Sequence, residues 1–127
     1  MVTYLSPQWF EHANAALAQH RGLGAAWREH PIILQQQVEG APTPSYALVL
    51  DGGGPRLTVG DAEDPTATFR LSHETAAAIA QGAISAQAAF QAGQLHIEGE
   101  VTTLIAGLER LAAVGDILAD LRAETEF

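Results

Sequence analysis

Between His30-Pro31 and Ser72, three clusters of glycine, proline and acidic residues cut the chain into four segments too short to be helices. The segments are Ile32–Val38, Ser45–Leu50, Pro55–Val59 and Thr66–Leu71. The clusters between them are Gly40-Ala41-Pro42-Thr43-Pro44, Asp51-Gly52-Gly53-Gly54 and Gly60-Asp61-Ala62-Glu63-Asp64-Pro65. Short runs of branched and aromatic residues bounded by such turn residues read as strands. Side chains alternate along a strand. Ile32, Leu34, Gln36 and Val38 therefore share one face, as do Leu48 with Leu50, Leu57 with Val59, and Phe69 with Leu71. The middle two segments are close enough for a hairpin, and Pro55 marks an edge or strand-start position.

On either side of this block the period changes to that of a helix. Ser6-Pro7 is a hydroxyl cap followed by proline at the first helical position, and Trp9, Phe10, Ala13, Ala16, Leu17 and His20 follow at helical spacing. Gly22 and Gly24 stop it, which predicts a first helix over about 7–21. Trp27 falls in the connection, and Pro31 imposes extended chain on His30. After the strands, Ser72 caps a short helix over His73–Gln81 and Ser85 caps another over Ala86–Gln91. Gly82 and Gly93 end them. Leu95-His96-Ile97 reads as a fifth strand. From about Glu100 a long helix carries Val101, Leu104, Ile105, Leu108, Leu111, Ile117, Leu118 and Leu121 on one broad apolar face. Gly115-Asp116 is a weak point there, and a break would make Ile117–Leu121 a separable lid. The order helix, four strands, two short helices, strand, long helix predicts an α+β fold. A five-stranded, largely antiparallel sheet would carry the helices on one face.

At 127 residues this is one domain spanning 1–127. A net charge of −9, with six arginines, no lysine and 15 carboxylates, argues against nucleic acid and anionic membranes as partners. No stretch is long and apolar enough to span a bilayer, and the first residues lack a signal-peptide pattern, so a cytoplasmic protein without stable membrane insertion is expected. The absence of cysteine excludes a disulfide scaffold, a thiolate metal site and a thiol nucleophile.

The run from Phe69-Arg70-Leu71-Ser72-His73 through Ile79-Ala80-Gln81-Gly82 and Ala89-Phe90-Gln91-Ala92-Gly93-Gln94-Leu95-His96-Ile97-Glu98-Gly99-Glu100 resembles the sterol carrier protein type two family. In that family a strand leads into a short glycine-terminated helix. A second short helix carries Ala-Phe, and a strand closes before a long helix. The resemblance is dense over about 65–105 and looser elsewhere. Glu100 stands where aspartate is common, and the chain ends Glu-Thr-Glu-Phe rather than in a Ser-Lys-Leu address. A small stand-alone bacterial member fits these departures.

The resemblance implies a hydrophobic cavity between sheet and helices that holds a sterol, fatty acid, acyl chain or other lipid, with no cofactor and no catalytic residue. The cavity candidates are Leu48, Leu50, Phe69, Leu71, Ile79, Phe90, Leu95, Ile97, Leu104, Leu108 and Leu111. All of them equally suit a plain core. Gln36, on an otherwise apolar strand face, either orients a ligand headgroup, bonds nearby backbone, or is turned outward by a bulge. Each buried ligand methylene contributes about 0.8 kcal/mol, so such a site needs no charged motif.

Other constellations carry less. The histidines at 12, 20, 30, 73 and 96 make no HExxH pattern, and Asp61, Glu63 and Asp64 lack the rest of a calcium loop. Ser6, Ser72 and Ser85 are explained as caps, with no GxSxG elbow. Trp9 and Phe10 are adjacent, so both cannot sit at the centre of one helical face: one is expected inside, and the other is either partly exposed or packs against Trp27 or the long helix. The leading expectation is a non-catalytic lipid carrier. The alternative is an accessory subunit of this fold in lipid, steroid or quinone metabolism, acting through an enzyme partner or as a homodimer, with its cavity filled by its own side chains.

Overall fold

The computed structural model describes residues 2–100, 102 and 108–127, with side chains at all of these except 26 and 108–112. The elements are β1 (Val2–Thr3), α1 (Pro7–Ala18), a 3-10 helix (Arg21–Trp27), β2 (Ile32–Glu39), β3 (Ser45–Leu50) and β4 (Arg56–Val59). They continue with β5 (Ala67–Ser72), α2 (His73–Ala80), α3 (Ala86–Gln91), β6 (Leu95–Gly99), α4 (Leu108–Ala119), a 3-10 turn (Arg122–Glu124) and β7 (Thr125–Glu126). The predicted caps hold: the hydroxyls of Ser6, Ser72 and Ser85 accept the backbone N–H groups of Trp9, Thr75 and Ala88.

The five-stranded sheet has the order β4-β3-β2-β5-β6. β2 and β5 run parallel and the other three pairings are antiparallel, so the sheet is mixed but largely antiparallel. The parallel pair arises because the hairpin β3–β4 leaves on one side of β2 and the chain returns on the other. Register places Tyr46, Leu48 and Leu50 opposite Gln36, Leu34 and Ile32. Phe69 and Leu71 lie beside Gln36 and Val38 on one side and opposite Ile97 and Leu95 on the other. All these residues share the face that meets α1, where Phe10 packs edge-on against Tyr46 at 5.1 Å.

Four expectations from the sequence are corrected or narrowed. The first helix ends at Ala18, and the chain continues through the connection as a 3-10 helix that delivers Trp27 to the core. Gly24 permits this path, because a Cβ there would come within 2.6 Å of the Gly54 backbone nitrogen. Trp9 and Phe10 are both buried. They lie on neighbouring sides of α1, and the chain termini cover the second side: Tyr4 meets Trp9 edge-on at 5.1 Å, and β1 pairs with β7. The fifth strand runs on to Gly99.

The fourth correction concerns the lid. α4 continues through Gly115 to Ala119, and Val114, Ile117 and Leu121 are buried in the main core. The segment is pinned from beyond its end. Arg122 donates to the Ala80 carbonyl, the Thr125 hydroxyl donates to the Leu121 carbonyl, and β7 pairs with β1. Ile117–Leu121 is core and not a separable element.

Candidate functional site

One row crosses the helix-facing side of the sheet: Val59, Tyr46, Gln36, Phe69 and Ile97, from β4 to β6. The row nearer the strand starts contains Leu34 and Ala67, and the row nearer their ends contains Val38 and Leu95. All four are buried. Between them Gln36, Phe69 and Ile97 are only half-buried, as are Leu48 and Leu71 beside them. Central positions of a sheet covered by helices are ordinarily the most buried, so accessible space over this row is the distinguishing feature of the face.

Gln36 stays on this face. The β2–β3 register is continuous from Ile32 to Gln37, so no bulge turns it outward. Its strand neighbour Gln35 points to the other side and is the buried amide: it is 3% exposed. The Gln35 Nε2 reaches the Ser45 hydroxyl at 2.8 Å and the Tyr46 carbonyl at 3.1 Å, while its Oε1 accepts the Ala62 N–H at 2.7 Å. That network ties the β4–β5 loop over the outer face of the sheet.

Tyr46 lies in the row between Val59 and Gln36. It is buried, as is Tyr4, and burial pushes the Tyr4 hydroxyl up to about 12. Burial and the Tyr4 hydroxyl hold Tyr46 well above the ordinary tyrosine value. Both hydroxyls are therefore neutral at physiological pH. Period-two spacing already aligned Tyr46 with Leu48 and Leu50, so the sequence carried a signal for it. Tyr4 left none, because nothing local predicts that the N-terminal strand folds over α1.

The remaining candidates divide. Leu50 and Leu95 are fully buried, and Ile79 is half-buried on α2. Phe90 is 51% exposed. α3 has only six residues, and Ala89 occupies its one buried position, which turns Phe90 outward and removes it from the cavity set. Leu104 lies outside the described residues, as do the side chains of Leu108 and Leu111.

A groove of about 860 Å³ lies elsewhere, at the ends of β2 and β5 and the start of α2. Glu39, Asp61, Arg70, Glu74 and His96 border it, and of the cavity candidates only Leu71 does. Its mixed charges suit no hydrophobic ligand. Among the described residues no group of acidic and histidine side chains is placed to hold a metal, and no helix is long and apolar enough to cross a membrane.

A mixed five-stranded sheet with helices on one face, where several central side chains stay partly accessible, defines a small α+β domain. The family model described as the SCP-2 sterol transfer family matches residues 11–111, and the chain belongs to that family. Membership implies lipid binding or transfer on a fold that is generally non-catalytic. Sterol carrier protein domain 2 of Helicoverpa armigera is similar in structure, with 19% identity, coverage of 91% of this chain and 93% of that one, and a TM-score of 0.60. A Thermus thermophilus protein described as possibly a sterol carrier protein has 16% identity, coverage of 95% and 91%, and a TM-score of 0.63. A sec-alkylsulfatase from a Pseudomonas species has 19% identity and a TM-score of 0.58. The match covers 89% of this chain but 16% of the sulfatase, so there the fold is one part of a larger chain. No curated protein matches the chain.

Proposed function

We propose that the chain carries one hydrophobic ligand, a sterol, fatty acid, acyl chain or related lipid, on the helix-facing side of its sheet, without covalent chemistry. The observation that supports this is that Gln36, Phe69 and Ile97 are half-buried on a sheet face where Leu34, Val38, Ala67 and Leu95 are fully buried. In this reading Leu48 and Leu71 line the same space, Leu50 and Leu95 form its floor, and the Gln36 amide meets the ligand's polar end. Leu104, Leu108 and Leu111 join the lining on their helical spacing alone. Apolar burial supplies the affinity, since a chain of ten methylenes buried there contributes about 8 kcal/mol before the cost of association.

Native mass spectrometry of protein purified without detergent, followed by organic extraction, tests the proposal. One lipid per chain is the expected result, and its identity names the class. An apo mass that persists after incubation with sterols, fatty acids, acyl thioesters and quinones overturns the carrier and leaves the accessory-subunit reading, in which the cavity is filled by the protein's own side chains.

A further inference from the structure

From Thr75 to Leu95 the chain contains no aspartate, glutamate, arginine or histidine, while the 15 carboxylates and six arginines all lie outside this stretch. The structure places most of it on the surface. α2 turns Thr75, Ala76 and Ala77 inward, but from Gln81 to Gln94 every residue is exposed except Ile84 and Ala89. The exposed set is alanine, glycine, serine and glutamine around a single large apolar side chain, Phe90. At its margin the Arg122 guanidinium lies against Gly82, where a Cβ would meet it at 3.2 Å, and donates to the Ala80 carbonyl.

We infer that this α2–α3 face is the surface through which the protein touches a zwitterionic phospholipid membrane. Charge selects the occupant. A chain of net charge −9 is repelled by anionic lipid over about a Debye length, ~8 Å at physiological salt, but not by a neutral surface met through an uncharged face. A second copy would bring another −9 alongside the first, and a basic protein partner would find carboxylates only at the margin, where Glu39, Asp61 and Glu74 border the groove. A phospholipid surface offers an acyl boundary for Phe90, a phosphate for Arg122 and polar headgroups for the exposed glutamine amides between, with no charge to desolvate. One aromatic side chain gives transient contact, which is what exchange of a hydrophobic cargo with a membrane needs. The inference rests on the carrier reading for that purpose and on the charge pattern for the surface itself.

Phe90→Trp supplies the test. Trp9 and Trp27 are buried and give a constant background, so a new signal reports position 90. Phosphatidylcholine vesicles should shift the variant's emission to the blue and leave the native protein's unchanged. Phe90→Asp should weaken vesicle binding about tenfold, the effect of denying a phenylalanine its burial. Both substitutions are at an exposed position, so the fold should survive, and far-UV circular dichroism checks it. An emission that stays put with phosphatidylcholine in excess overturns the inference. So does a blue shift that appears without vesicles and grows with protein concentration, because that assigns the face to a second copy. The readout needs no cargo. A shift in protein that never retains lipid overturns the carrier reading and leaves this surface, and retained lipid without a shift does the reverse.

Discussion

Tyr4 and Tyr46 are the only tyrosines of the chain, and both are buried in the core. Because lysine and cysteine are absent, these two are the only side chains whose ordinary values fall between pH 9 and 12. Folding raises both above the unfolded value of about 10, so the stability they contribute is complete below pH 10 and is lost as pH rises toward the folded value, about 12 for Tyr4. Each group costs about 1.4 kcal/mol per pH unit in that window. Phenolate absorbance should therefore appear together with the loss of far-UV helical signal. Phenolate forming at pH 10 in a protein still folded would contradict the buried pair. The two glutamines nearby show what a period-two pattern reveals and what it hides. It put Gln36 on the helix-facing side, where it lies. It gave no hint that Gln35, on the polar face, would be the more deeply buried, because the loop that covers it is placed by contacts distant in sequence.

The edge strand β4 is short, and α1 protects its outer side. Asn14 on α1 donates to the Leu57 carbonyl at 2.9 Å and accepts the Leu57 N–H at 2.7 Å, so one amide side chain stands in for a neighbouring strand. Asn14→Ala removes both bonds and leaves two backbone groups of a largely buried residue without partners. It should cost about 1–3 kcal/mol and accelerate hydrogen exchange at the Leu57 amide more than in β2. Exchange at Leu57 equal to the native rate would show that water serves the edge as well. The existence and order of the elements were legible because glycine and proline mark most of the boundaries and serine caps three of the helices. Less legible was the behaviour of elements whose ends are fixed elsewhere. Gly115 looks like a hinge when only helix propensity is weighed, and it sits unbroken in α4 because buried Val114 and Ile117 hold the helix on both sides of it. Likewise the six residues of α3 offer two apolar candidates for one inward position, and spacing alone does not choose Ala89 over Phe90.

The two faces of the sheet divide the protein's chemistry. Register sends Arg56, Arg70 and Glu98 to the outer face and the leucine, valine and isoleucine rows, with Gln36, to the inner one. Which inner residues were candidates could be read from alternation. How deeply each is buried could not, since that depends on the helices that cross above. The half-buried row therefore separates a binding domain from an ordinary core, and two substitutions test it together. Leu34 is fully buried, so Leu34→Phe forces extra volume into packed space and should destabilise by about 1–3 kcal/mol. Phe69→Trp adds volume of the same kind one strand away, at a half-buried position. If accessible space lies above it, the indole fills that space. The urea midpoint should then stay within about 0.5 kcal/mol of the native protein, in the range of tolerated surface changes, while lipid retained per chain falls sharply. If Phe69→Trp costs as much as Leu34→Phe, the row is packed like the rest of the core and no ligand sits over it. If stability and lipid retention both stay native, the ligand lies away from Phe69, and the search for its site moves toward Leu48 on β3.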